Sequence, residues 1–139
     1  MLLRFVIPVT AVLALPAYAG PPHSIAGIVI AEGLAMRAER GLHPDKPGPD
    51  FAEAAAHRTQ ILQDVRAVLD AGDAETVQRF TVGKGPSGIA GEAYYTAWQV
   101  TGFWLAHGVT LTEISRIEDQ DAPARVGEAI DLMLKEKRP

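Results

Sequence analysis

Apolar residues recur at helical spacing along most of the chain, and prolines and glycines separate the periodic segments. A first helix is predicted from an N-cap at Ser24 to a C-cap at Gly41, and a second from an N-cap at Asp50 to about Gly72. No stretch alternates with the period of a strand, although residues 80–82 have the composition of a short extended piece. The pattern therefore predicts a single compact all-α domain of five or six helices.

Side chains that can cap helices mark the remaining helix ends. Asp73 precedes a short third helix, and residues 83–88 (GKGPSG) predict a loop. Thr110 and Glu113 have the spacing of a capping box, in which each side chain accepts a hydrogen bond from the other residue's backbone amide. The helix that they start is predicted to end near Asp119. The last helix is predicted to follow an N-cap at Asp121.

The most aromatic stretch, residues 88–108 (GIAGEAYYTAWQVTGFWLAHG), holds both tryptophans and two of the three tyrosines. Apolar residues on all sides predict a central helix, about 88–107, that is buried by its neighbours and ends at a left-handed Gly108. One face of this helix carries two glycines, each of which costs about 1 kcal/mol relative to alanine. That face predicts a groove approached closely by a neighbouring helix or a ligand. The groove residues are Gly91, Tyr95, Trp98 and Gly102.

Residues 1–19 have the features of a secretory signal peptide. Arg4 lies near the start, Phe5–Leu15 is an uncharged apolar run, and Ala17–Ala19 fits the small residues before a cleavage point. A membrane anchor is the alternative, but a spanning helix needs about 20 apolar residues and this run is shorter. We therefore expect residues 20–139 to be one exported domain, periplasmic or secreted, without membrane contact after cleavage.

The charge and the cysteine content of the chain exclude some classes of function. The chain has 17 acidic and 13 basic side chains, a net charge of −4 with neutral histidines, and no cysteine. An acidic chain without a basic stripe is not expected to bind nucleic acid. Without cysteine it has neither a thiol nucleophile nor a disulfide framework, so packing alone must hold the domain together.

Two charged residues occupy helical positions at which apolar residues are expected. Glu32 falls in the middle of the apolar face of the first helix, and Arg58 has the same relation to the second. An unpaired buried charge costs several kcal/mol, so each needs a partner or, for the glutamate, a proton. The sequence predicts that Glu32 and Arg58 point inward as a buried charge pair. In the alternative, Arg58 reaches water along its own stem.

The tetrapeptide EGLA that begins at Glu32 and the aromatic helix that ends at Gly108 carry a resemblance to a known family. Residues 28–44 and 88–134 resemble the C-terminal half of an uncharacterised family of predicted zinc-dependent proteases of the gluzincin type. In that family an HExxH helix supplies two histidine ligands and a general-base glutamate, and a following EGLA-type helix supplies the third ligand. The resemblance implies that Glu32 is the counterpart of that third zinc ligand.

The HExxH motif of that family is absent from all 139 residues. A catalytic zinc needs three protein ligands, and no two histidines of this chain have the i, i+4 spacing that places both imidazoles on one helix face. We therefore expect no cofactor, with zinc at Glu32 as the alternative. The histidines are His23, His43, His57 and His107.

Three hypotheses for the function follow. The one we favour is an exported, non-catalytic helical domain, related to the zinc-dependent proteases, that binds a protein or peptide partner in the groove beside Gly91, Trp98 and Gly102. The second is a zinc-dependent hydrolase in which Glu32 binds the metal and another chain supplies the histidines. The third is a truncated remnant without function, which folds poorly because a missing helix leaves an apolar face open.

Overall fold

The computed structural model describes residues 24–136, which form seven α-helices, one short 3₁₀ helix and no strand. The predicted all-α fold is confirmed, whereas the predicted signal peptide lies outside the described residues. No helix in the described part is long and apolar enough to cross a membrane. The elements are α1 Ile25–Leu42, α2 Ala52–Ala55, α3 Arg58–Arg66, α4 Ala74–Phe80, α5 Glu92–Ala106, α6 Leu111–Ser115, the 3₁₀ helix Asp119–Asp121 and α7 Ala122–Lys135.

Helix α5 lies at the centre of the fold and packs along α1, as its apolar composition predicts. Helix α7 packs against α1, α3 and α5, and α3 also contacts α5. The residues between these helices are apolar and fully buried, among them Ile30, Val100 and Ile130. Removal of these side chains from water is the main contribution to the stability of the domain.

Helices α1 and α5 approach each other closely at Gly33. A Cβ atom at this position would lie 2.8 Å from the carbonyl oxygen of Ala97 and would overlap the side chain of Thr101. Glycine therefore lets the two helix backbones approach more closely than any other residue would. The sequence predicted close approach at Gly91 and Gly102 and did not identify Gly33.

The predicted N-caps of α1, α4 and α6 are confirmed, whereas the predicted C-cap of α1 at Gly41 is wrong, because the helix continues to Leu42 and His43 is its C-cap. Ser24 Oγ accepts a hydrogen bond from the amide of Gly27 at 3.1 Å, and Asp73 caps α4 in the same way. The capping box of Thr110 and Glu113 is complete, because each side chain accepts from the other residue's backbone amide. These bonds satisfy amides that have no partner inside a helix.

The second predicted helix is wrong as a single element, since a turn at Ala56 and His57 divides it into α2 and α3. The turn lets Phe51, before α2, pack edge-on against Tyr95 with ring centroids 5.5 Å apart, while Leu62 on α3 is buried in the core. Helix α3 also ends earlier than predicted, at Arg66.

The central helix starts later than predicted, at Glu92. Gly88 and Gly91 have φ values of +80° and +75°, which L residues with side chains rarely adopt, so Gly91 is the N-cap of α5 and not a residue of its interior. The end of the helix is as predicted, with Gly108 at φ +86°.

Three smaller predictions about helix ends are corrected. Helix α6 ends at Ser115, and not near Asp119, which instead opens the 3₁₀ helix. Asp121 occupies the N-cap position of α7, but its side chain makes no capping hydrogen bond. Phe80 is the last residue of α4 and not part of an extended piece.

Candidate functional site

An open cavity of about 320 Å³ lies where α1, α3, α5 and α7 meet. Its wall includes two arginines, Arg37 on α1 and Arg58 on α3, and the apolar side chains of Trp98, Phe103 and Met133. The remaining wall residues are Gln99, Gly102, Ala106, His107 and Glu136. We call this space the Arg37 cavity.

The Arg37 guanidinium is held by α5 through three contacts. Its Cζ lies 3.3 Å from the centroid of the Trp98 ring, which is a cation–π contact. Its Nε donates to Thr101 Oγ1 at 3.1 Å, and its Nη2 donates to the backbone oxygen of Trp98 at 2.5 Å. The guanidinium is therefore fixed in position before any ligand arrives.

Gly102 makes room for this arrangement. A Cβ atom at Gly102 would overlap Nη2 of Arg37, and no backbone atom lies as close. The mid-helix glycine of the aromatic helix thus accommodates a side chain of the neighbouring helix α1.

The positive charge of Arg37 lacks a compensating acid among residues 24–136. Burial lowers the pKa of Arg37 to about 10, and no neighbouring carboxylate raises it. The guanidinium remains protonated at neutral pH, because the lowered value is still well above 7. Burial of a charge without an opposing partner costs free energy, and a bound anion would reduce that cost.

The four residues of the predicted groove lie in different places. Trp98 and Gly102 both line the Arg37 cavity. Gly91 does not, because it caps α5 at the far end of the helix. Tyr95 does not line it either, since its side chain is 2% exposed and packs against Phe51 in the core.

Glu32 and Arg58 have different surroundings. Glu32 is half-buried, and burial alone raises its pKa, without a contribution from an arginine. Burial and the negative charge of Glu32 both raise the pKa of Tyr94. Arg58 is also half-buried, but it lines the Arg37 cavity.

The donor set of the implied zinc site is not assembled around Glu32 within the described residues. No group of three or more histidine, aspartate or glutamate side chains in residues 24–136 is arranged to hold a metal ion. His23 lies outside this range.

A second acidic site, which the sequence analysis missed, lies at the start of α5. Glu92 is fully buried, and its Oε2 accepts hydrogen bonds from the backbone amide and the hydroxyl of Ser87 at 3.1 and 2.8 Å. The carboxyl group of Asp64 on α3 lies nearby, and neither Glu92 Oε1 nor Asp64 Oδ2 has a hydrogen-bond partner within the described residues. Burial and then Asp64 raise the pKa of Glu92, and the bonds from Ser87 oppose the rise.

The loop of residues 83–88 closes over this buried carboxyl group. The Gly91 amide donates to the carbonyl oxygen of Gly83 at 3.2 Å, and Lys84 and Ala90 form an isolated antiparallel bridge. A Cβ atom at Gly85 would lie 2.5 Å from Glu92 Cδ. Gly85, one of the glycines that predicted a loop, is thus needed for the contact of the loop with Glu92.

Fold and site together define an all-α domain with an open cavity that presents a fixed guanidinium beside an indole ring. Comparison with family models, with curated proteins and with solved structures gives no match.

Proposed function

We propose that this chain is an exported, non-catalytic domain that binds a protein or peptide partner in the Arg37 cavity. The observation that carries the proposal is the Arg37 guanidinium, which is fixed against Trp98 and Thr101 and lacks an acidic partner in the described part of the chain. Because the Arg37 side chain is already fixed, it loses little conformational entropy when a ligand binds.

The walls of the cavity also support binding. An indole, a phenyl ring and a thioether line it together with a few polar groups, which is the usual composition of a ligand site. Tryptophan and arginine are the residues most enriched at the centres of protein interfaces. The cavity volume suffices for one or two residues of a partner chain.

A blocking substitution tests this function. Ala106 lines the cavity, and its neighbour Leu105 is exposed on the same helix but outside the cavity. We expect an equimolar pool of acetylated tripeptides to shift the indole N–H resonance of Trp98 in the ¹⁵N-labelled protein, and the buried Trp104 to report no change. Ala106→Phe should abolish the shift and Leu105→Phe should preserve it. Equal responses of the two variants would show that the peptides bind elsewhere.

Export is a separate part of the proposal and has its own measurement. The small residues Ala17 and Ala19 support cleavage before Gly20. The intact mass of the protein from the exported fraction should therefore correspond to a chain that starts at Gly20. Recovery of the uncleaved chain only from the cytosol would contradict export.

A further inference from the structure

The Arg37 side chain has donors left over after its contacts with α5. A guanidinium carries five N–H donors, and two of them are used by Thr101 and by the Trp98 carbonyl. The three that remain are both hydrogens of Nη1 and one of Nη2. Two parallel N–H groups on adjacent nitrogens are the arrangement that a carboxylate accepts with both of its oxygens.

The charged side chains on the cavity wall favour an anionic ligand, because they comprise two arginines and one glutamate. Arg58 and His107 lie on this wall, and Glu136 adds a negative charge at the end of α7. The Nδ1 atom of His107 lies 2.8 Å from the carbonyl oxygen of Phe103, so Nδ1 carries a hydrogen and donates. The charges therefore favour an anion, and the choice of a carboxylate rests on the donor edge of Arg37 and on the apolar wall.

The apolar part of the cavity wall indicates which kind of ligand provides the carboxylate. Phe103, Ala106 and Met133 line the same space as the guanidinium. The last residue of a peptide offers a carboxylate and an apolar side chain from a single Cα atom, which matches a small cavity with a cation on one side and an apolar wall on the other. An aspartate or glutamate side chain within a peptide offers the carboxylate without the apolar group.

We infer that the Arg37 cavity binds the C-terminal carboxylate of a partner polypeptide whose last residue is apolar. This inference rests on the proposed function and specifies its ligand. Arg37 binds the carboxylate through its Nη1 and Nη2 edge, Trp98 holds the guanidinium plane, and the apolar side chain contacts Phe103 and Met133.

Paired peptides test the inference. The probes are acetyl-Gly-Gly-Leu and acetyl-Gly-Gly-Phe, each with a free C-terminal carboxylate and as the C-terminal amide. We expect the free acids to bind at least about tenfold more tightly than the amides, because a charge-assisted pair of hydrogen bonds is lost on amidation. The measurement is the shift of the Trp98 indole N–H resonance as each peptide is titrated.

Two variants test whether the difference in affinity between the free acids and the amides depends on Arg37. Arg37→Gln removes the charge, and Gly102→Ala displaces the guanidinium through its Cβ atom while favouring the helix. Both should reduce the ratio of acid to amide affinity to about one. Arg66→Gln is the matched control, because Arg66 is an exposed arginine that pairs with Asp131 away from the cavity, and it should keep the ratio. Thermal melts of all three variants confirm that they fold.

The outcomes separate the inference from the proposed function. If the acids and amides bind with equal affinity while the Trp98 resonance still shifts, the inference of a carboxylate ligand is overturned, and the proposal of peptide binding stands. Tighter binding of O-phosphoserine than of either free acid would overturn it in favour of a phosphate ligand. No response of Trp98 to any of these compounds at millimolar concentration would overturn both. A free-acid preference that survives in Arg37→Gln and Gly102→Ala would place the carboxylate elsewhere.

Discussion

The carboxyl groups of Asp64 on α3 and Glu92 in the first turn of α5 are neighbours, and the proximity of Asp64 adds to the rise that burial causes in the pKa of Glu92. Glu92 Oε1 and Asp64 Oδ2 are both buried, and neither has a hydrogen-bond partner within the described residues. Two ionised carboxylates have no hydrogen to donate to each other, whereas a proton on Glu92 would provide one. Because its pKa is raised, Glu92 holds its proton to a higher pH in the folded protein than in the unfolded chain.

Glu92→Gln should stabilise the protein at neutral pH. The folded pKa of Glu92 is raised above 4.5, so the unfolded state ionises first as pH rises, and stability falls between pH 4.5 and the raised value. Glutamine is neutral, can accept from Ser87 and can donate to Asp64. We expect a gain of about 1 to 2 kcal/mol in the free energy of unfolding at about pH 7 and little gain near about pH 4.5, measured by urea denaturation.

The other shifted acids, including Glu32 with its raised pKa, do not obscure this measurement, because they are the same in the wild type and in the variant. Asp73, Glu113 and Asp131 have lowered pKa values, so their stabilisation is present above their unfolded pKa values and is lost as pH falls through the lower folded ones. Glu128→Gln, at an exposed position of α7, is the control and should show no such pH dependence. A Glu92→Gln variant that is less stable than the wild type at neutral pH would mean that Glu92 is ionised and paired.

Gly85→Ala should destabilise the protein, although Gly85 is in a loop. Its Cβ atom would press on the buried Glu92 carboxyl group, which cannot withdraw to solvent. We expect a loss of about 1 to 3 kcal/mol in the free energy of unfolding, the usual range for overpacking. Gly48→Ala is the matched control, because a Cβ atom there meets nothing within 4 Å. Equal stability of the two variants would contradict the close contact between the loop and Glu92.

The helices were largely predictable from sequence because their signals are local. Ser24 and Thr110 bond to amides within three residues, and the apolar period continues along each helix. The site was less predictable because it depends on pairs far apart in the chain. Arg37 meets Trp98 across 61 residues, and neither its charge nor its spacing distinguishes it from an exposed arginine. Glu92 was missed because an acid in the first turn of a helix is ordinarily solvated.

Gly33→Ala should destabilise the contact between α1 and α5. The added methyl group would overlap Thr101 and approach the backbone oxygen of Ala97, which is fixed in a helix and cannot move aside. We expect a loss of about 1 to 3 kcal/mol in stability, measured as the midpoint of urea unfolding. Gly41→Ala, on the same helix with nothing within 4 Å, should instead be neutral or gain up to about 1 kcal/mol. A stable Gly33→Ala variant would show that the two helices can separate at little cost.

Zinc content tests the hydrolase hypothesis that the resemblance implies. We expect protein purified from the exported fraction to contain less than roughly one zinc per ten chains by elemental analysis, since a real site retains its metal near stoichiometry. Near-stoichiometric zinc that disappears in Glu32→Ala would establish Glu32 as a ligand and favour the hydrolase. Zinc that persists in Glu32→Ala would belong to another site.

Glu32→Gln and Arg58→Met should have additive effects on stability. Burial raises the pKa of Glu32 without help from an arginine, so the charge is a cost to folding at neutral pH, and Glu32→Gln should be neutral or slightly stabilising. Arg58→Met acts at the wall of the Arg37 cavity, in different surroundings. The coupling energy of the double-mutant cycle should therefore stay below about 0.5 kcal/mol, the usual limit for residues that do not interact. A loss of several kcal/mol in Glu32→Gln that the second substitution partly restores would instead establish the buried charge pair predicted from the sequence.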